Sequence, residues 1–347
     1  MSLPEDIILN ILARVPRCHY PTISLVSKHF RSLIASPDIY AIRSLLGCTE
    51  HCLYVVLRDR DNNARSLYTL CRKADGKNSR LVLIPCLPAL PKRGIFVAVG
   101  SKIYVFGVNI DKNDNKMTST AYSIDCRSHT VQPLPSMPHA LMYQTMADVI
   151  DDRIYIVGFI SDKKIPVVVL VFNTRTQMWE PAMTNLDVPA GSIRRIYGCM
   201  VMGNKIYSKK LVYDPKETKW ETHDEKLISR KFKHVCVIND VIYYYSSVKN
   251  NLKAYDSKKR CWKVVKGLKY LFGEIRGKEA WLKTVRYDGK VVFLIPTVTI
   301  IGVARGICCA EVSLERGQGG KIFGKVEWLD NLIAGNFEII QALDVML

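Results

Sequence analysis

The chain has 347 residues, 48% of them hydrophobic and 24% charged, which is enough apolar material for one large domain plus a small one and excludes general disorder. The longest apolar run, Val291 to Ala304, is only 14 residues and contains Pro296, too short for a membrane-spanning helix. The formal net charge of +18 invites an anionic partner, but 22 Lys plus Arg against 10 Asp plus Glu fall between Val201 and Lys290, with no nucleic-acid motif among them.

At the start of the chain, Pro4 followed by Glu5 and Asp6 is a helix-start signal, because proline fits the first turn and carboxylates favour the positive end of the helix dipole. Ile7, Ile8, Ile11, Leu12 and Val15 then recur as one apolar face, and Pro16 stops the run. Pro21 opens a second predicted helix striped by Leu25, Val26, Phe30, Leu33 and Ile34. A third begins at Ser36-Pro37, an N-cap followed by proline at the first helical position, and turns Ile39, Ile42, Leu45 and Leu46 inward. Three short helices bury too little surface to be secure alone, so they need a partner or a neighbour.

The strings LPEDIILNILARVP, LVSKHFRSL, SPDIY and RSLLG resemble the F-box, the motif with which F-box proteins grip a Skp-type adaptor and through it the cullin of a ubiquitin ligase. The resemblance runs from Leu3 to about Leu46 and implies a domain over 1–47. It implies that Leu3, Pro4, Ile8, Ile11, Val15, Pro16, Leu25, Val26 and Phe30 pack on the adaptor or on the core beneath it. It also implies that the unit can be deleted without unfolding the remainder of the chain.

The rest of the chain repeats with a period near 50. An apolar-aromatic strand appears as CLYVVL, SKIYVFG, DRIYIVG, NKIYSKK, DVIYYYS and GKVVFLI, with Leu53, Ile103, Ile154, Ile206, Ile242 and Val291 at intervals of 50, 51, 52, 36 and 49. A second element places Asp or Asn six residues before tryptophan: Asn173 and Trp179, Asp214 and Trp220, Asp256 and Trp262, with Val131 in that place after Asp125. The Asp or Asn opens a turn through its side chain, the chain closes a hairpin, and the tryptophan stacks on the preceding sheet.

This pattern resembles the kelch repeat, one four-stranded blade of a β-propeller. It implies a mainly β protein over 48–347, a kelch-type propeller of about six blades preceded by the three-helix F-box. The double glycine usual in kelch blades survives only singly, at Gly107 and Gly158. Together the two resemblances imply a substrate-recognition adaptor of a Skp–cullin–F-box ligase that presents a protein substrate. A propeller scaffold or inhibitor acting without ligase recruitment is the alternative.

No catalytic or cofactor motif emerges. The seven histidines sit in unrelated positions, and Cys48, His51 and Cys52 lack the second ligand pair a zinc site needs, so neither a metal nor a cofactor is expected. Gly317, Gly319, Gly320 and Gly324 lack the last glycine of a dinucleotide fingerprint and read as a hairpin loop. The eleven cysteines are scattered and odd in number, and Pro4, Glu5 and Asp6 break any secretory pattern, so a reducing compartment, cytoplasm and/or nucleus, is expected.

Two expectations concern the ring. The first blade lacks an apolar strand before Leu53, and Phe337 to Met346 is a strand left over after Trp328, so it should pair beside Leu53 to Leu57 as the inner strand of blade one. The basic excess should occupy consecutive blades three to five as one sector suited to an acidic protein substrate, with no membrane and no nucleic acid as partner.

Overall fold

Six four-stranded antiparallel sheets follow the N-terminal helices. The computed structural model describes residues 3–72, 79–110, 117–139, 141, 143–159, 167–181, 200–207, 211–222, 235–256, 259–275, 282–298 and 304–347. In blades two to six the inner strands are Arg93–Val99, Tyr143–Ile150, Met200–Met202, Val235–Ile238 and Lys283–Tyr287. The second strands, led by His51–Asp59 in blade one, carry the repeated IY motif at Lys102–Ile110, Arg153–Phe159, Lys205–Tyr207 and Val241–Ser246, with Val291-Val292 in its place in Lys290–Val298.

The tryptophan spacing has a turn as its cause. Side-chain oxygens of Asp125, Asn173 and Asp214 accept the N–H two residues on, at 3.0, 3.0 and 2.9 Å, and Asp256 accepts that of Lys259 at 3.0 Å. Four residues after each stands a left-handed residue: His129, Gln177, Thr218 and Arg260. The hairpin therefore pairs the residue before the Asp or Asn with the tryptophan, as in Phe172 with Trp179, Tyr213 with Trp220 and Tyr255 with Trp262. Ring centroids in these pairs lie 5.0, 5.1 and 5.2 Å apart. Trp179 also meets Phe106 of the preceding blade at 5.2 Å and donates its Nε1–H to the Pro135 carbonyl at 2.8 Å.

Continuous apolar runs such as Leu53 to Leu57 arise because both faces of each sheet are covered. Alternate residues point to opposite faces of a strand. Leu53, Val55 and Leu57 pack against Val292 and Leu294 of blade six, while Tyr54 and Val56 pack toward Phe96 and Ile103 of blade two. The same division recurs round the ring, so each apolar cluster of the propeller is the interface between two neighbouring blades.

Phe337–Met346 lies antiparallel to His51–Asp59, from Phe337 beside Asp59 to Met346 beside His51, with a bulge at Val56 and Leu57. It is the inner strand of blade one and touches the inner strands of blades two and six, which closes the ring. Gly317 to Gly320 form the turn between Ala304–Arg316 and Ile322–Ala334, the last two strands of blade six.

Several expectations need correction. The helical unit contains four helices, α1 (Glu5–Ala13), α2 (Tyr20–Ile23), α3 (Lys28–Ala35) and α4 (Pro37–Leu45), with a 3-10 turn at Arg17–His19. Extended Ser27 interrupts the predicted second helix and caps α3 by accepting the Phe30 N–H at 3.1 Å, which leaves Leu25 and Val26 outside any helix. Leu45 points outward at 86% exposure instead of inward. The basic stretch from Val201 to Lys290 belongs to blades four and five and the opening of six, because Tyr143–Ile150 to Met178–Trp179 already make up blade three. A further helix, α5 (Lys269–Ile275), joins blades five and six and buries Leu271, Phe272 and Ile275 between them.

Candidate functional site

The helical unit has two unlike faces. Leu12, Ala13, Tyr20, Leu33, Ile39 and Tyr40 are buried in the cluster that also holds Tyr54, Val56 and Ile103 of the propeller. Ile8, Val15 and Phe30 pack against that cluster in part. Deleting residues 1–47 would therefore uncover propeller core, contrary to the independence implied by sequence.

Arg43, 1% exposed, ties the unit together. Its Nη1 donates to the carbonyls of Ala13 and Val15 at 2.9 Å each and to the Tyr20 hydroxyl at 3.2 Å, while its Nη2 binds Glu50 at 2.5 Å. Arg17 donates its backbone N–H to Glu50 at 3.2 Å and its Nη1–H to Cys52 Sγ at 2.9 Å. Tyr40 donates its hydroxyl to the Arg127 carbonyl in the turn before the outer strand of blade two. These contacts fix the helices to one end of the propeller, where the chain enters His51–Asp59.

On the other face Leu3, Ile7, Ile11, Leu25 and Val26 are exposed, Leu25 at 77% and Val26 at 68%. Pro4 and Pro16 are exposed as well, Pro4 capping α1 and Pro16 leading into the 3-10 turn. The nine sequence-predicted residues thus divide: Leu3, Pro4, Ile11, Pro16, Leu25 and Val26 face solvent, and Ile8, Val15 and Phe30 support them from beneath. Ile7, outside that set of nine, belongs to the exposed face. Its signal is in the sequence, since Leu3, Ile7 and Ile11 recur at four-residue spacing and form a stripe separate from Ile8, Leu12 and Val15. So many large apolar side chains left to water on a unit this small make this face the candidate site.

Among the described residues no cluster of His, Cys, Asp and Glu could hold a metal ion. His51 Nδ1 lies 2.8 Å from Asp344 Oδ1, Cys52 meets Arg17, and Cys48 faces the Leu46 carbonyl, so the three point to different partners. Burial pushes the Cys126 and Cys236 thiols up to about 12, which keeps both protonated at neutral pH. No described helix is long and apolar enough to cross a membrane.

The chain is thus a six-bladed propeller that carries at one end a cemented helical hook with an outward apolar face. Residues 1–42 match the F-box domain and residues 67–333 match the FKB95, Kelch-repeats domain. The F-box/kelch-repeat protein At4g38940 of Arabidopsis thaliana is 42% identical over 99% of this chain and 94% of its own length. At4g39240 from the same plant, also an F-box/kelch-repeat protein, is 38% identical over 96% of this chain and 87% of its own. At4g39550, another of that name, is 37% identical over 99% and 93%. This chain belongs to the F-box/kelch-repeat family. Members of that family are generally non-catalytic adaptors, whose F-box binds Skp-type proteins and whose propeller binds protein substrates.

Proposed function

We propose that this chain is the substrate-recognition subunit of a Skp–cullin–F-box ubiquitin ligase, acting in the cytoplasm and/or nucleus. The exposed apolar face of Leu3, Ile7, Ile11, Leu25 and Val26 carries the reading, because it lies on a helical unit whose opposite face is already spent on the propeller. A Skp-type adaptor docks there, the cullin is recruited through the adaptor, and the propeller holds the protein to be modified. The chain itself performs no bond chemistry; it raises the local concentration of substrate lysines near the charged conjugating enzyme.

Purified full-length chain mixed with a recombinant Skp-type adaptor should elute as a one-to-one complex on size exclusion. The double substitution I11D/L25D, placed on exposed positions, should prevent this without lowering the melting temperature. A wild-type chain that stays separate from every Skp-type adaptor tried would remove the ligase assignment.

A further inference from the structure

Antiparallel strands fix which loops share an end of the ring. The turns after the inner and third strands lie at the helix end, as the Tyr40 contact with Arg127 and the pairing of Glu50 with Leu347 show. The turns after the second strands, and the connections between blades, lie at the other end. Blade five there carries a cleft of about 750 Å³.

The cleft is walled by Ser247 to Asn251 from the turn between second and third strands, and by Val264 to Lys269 leading into α5. Its walls are braced. The Asn250 side chain donates to the Phe272 carbonyl at 2.7 Å and accepts the Tyr245 hydroxyl at 2.7 Å, which clamps the turn to α5. Lys266 is held through its backbone, donating to Ile322 at 2.9 Å and accepting from Gly324 at 2.8 Å in blade six. Gly267 adopts a left-handed φ of 89°, and an added Cβ there would lie 2.4 Å from the Gly324 carbonyl oxygen, so only glycine lets the two blades approach so closely.

Lys249, Lys266 and Lys269 line the cleft with exposed side chains, and among the described residues that line it none is acidic. By contrast Lys263, on the adjoining strand, is occupied by Asp256 at 2.7 Å. Beside the three ammonium groups stand Val248, 78% exposed, and Val264, 49% exposed. Like charges gathered round apolar side chains cost stability through mutual repulsion, and an acidic segment relieves it.

We propose that this cleft is the substrate-docking site and takes an acidic segment of a partner protein bearing a bulky aliphatic or aromatic side chain. The carboxylates meet Lys249, Lys266 and Lys269, and the apolar group covers Val248 and Val264. A protein segment fits better than nucleic acid, since the described residues that line the cleft include no arginine fork and no exposed aromatic ring on which bases could stack. The inference rests on the adaptor reading for its biological role, and the geometry suits it: blade five stands across the ring from blade two, at the end away from the helices, so both partners bind at once.

Short random peptides displayed on phage are selected against the full-length chain and against the K249A/K266A/K269A variant. Wild-type protein should enrich peptides with several Asp or Glu around Leu, Ile or Phe. A synthetic copy of the enriched sequence should bind the triple variant about tenfold more weakly, and lose affinity as salt rises. V248D should weaken it too, with thermal melting of both variants close to wild type. Absence of enrichment, enrichment of neutral or basic peptides, or equal binding to the triple variant would overturn the proposal. So would lysine-dependent binding of single-stranded RNA that outcompetes the peptide at physiological salt. Adaptor binding is measured in parallel: its loss in wild type removes the ligase reading alone, and a failed peptide selection with intact adaptor binding removes the cleft alone.

Discussion

The N–H of Glu50 donates to the carbonyl of Leu347 at 2.6 Å, and the N–H of Leu347 donates back to Glu50 at 2.9 Å. The exit from the helices and the end of the closing strand thus form one antiparallel pair. Ile339, Leu343, Val345 and Leu347 are buried along that strand. Full burial of each such side chain contributes about 1.5–3 kcal/mol, and the four together rival the ~5–15 kcal/mol by which a domain is stable. A chain truncated after Asn336 should lack a cooperative thermal transition by circular dichroism and be digested rapidly by protease. Melting within a few degrees of the intact chain would show that the ring does not need its closing strand.

Arg43 should prove a stability residue with no part in binding. Replacing it by Met leaves three acceptors on Ala13, Val15 and Tyr20 without their donor and Glu50 with only the Arg17 N–H. Glu50 is 36% exposed and can turn to water, so the cost comes mainly from the buried acceptors left unpaired, about 1–3 kcal/mol each. Lysine, lacking the planar fork, should recover only part of it. Urea unfolding followed by tryptophan fluorescence measures both variants, and an unchanged midpoint for R43M would refute the role.

The blades were legible because two short signals recur and have simple causes. The six-residue step from Asn173 to Trp179 is an Asx turn with a left-handed Gln177, and the IY runs are strands covered on both faces. Gly107, read as a remnant of the family glycine pair, has a local reason: a Cβ there would come within 2.4 Å of the Pro91 side chain. The helical unit was less legible, since apolar spacing marks a stripe without saying whether core or water faces it. Ile7 and Ile8 differ by one position and end on different sides. Nor did any periodicity announce α5, whose seven residues owe their place to the gap that Leu271, Phe272 and Ile275 fill between blades five and six. The blade-five cleft joins residues from a turn and a connection, and the exposure of its lysines comes from packing alone.

Adjacent Ile11 and Leu12 should separate binding from folding. Leu12 is 5% exposed in the core shared with the propeller, and Ile11 is 52% exposed. L12A should cost about 2–5 kcal/mol through the lost contacts and the cavity left behind. I11A should stay within about 0.5 kcal/mol of wild type, as surface changes do, while weakening the adaptor complex. Calorimetric titration with the adaptor alongside denaturant melts tests the pair; a reversed pattern would mean that the helices present the other face.

Asp148, on the inner strand of blade three, should make stability fall as pH rises through the weakly acidic range. Burial lifts its carboxyl to about 6, against the N–H bonds from Val149 at 2.8 Å and Val201 at 2.9 Å and the charge of Arg286, which favour the ionised form. Because the folded-state value lies above the ordinary 3.8, the folded chain keeps a proton that the unfolded chain releases between about pH 4 and 6. The contribution is therefore fully present below about pH 4, is lost on the way to about pH 6 and stays absent above, with a total on the order of 2–3 kcal/mol. Carboxylates held below their ordinary values, such as Asp125 beside Arg127, contribute stability that is lost in more acidic solution, so the two trends oppose one another in the raw curve. Subtracting the unfolding free energy of D148N from that of wild type at each pH isolates the Asp148 contribution. That difference should decline between pH 4 and 6 and be level from pH 6 to 8, and a flat difference across the whole range would show that Asp148 ionises as readily in the folded ring as in the unfolded chain.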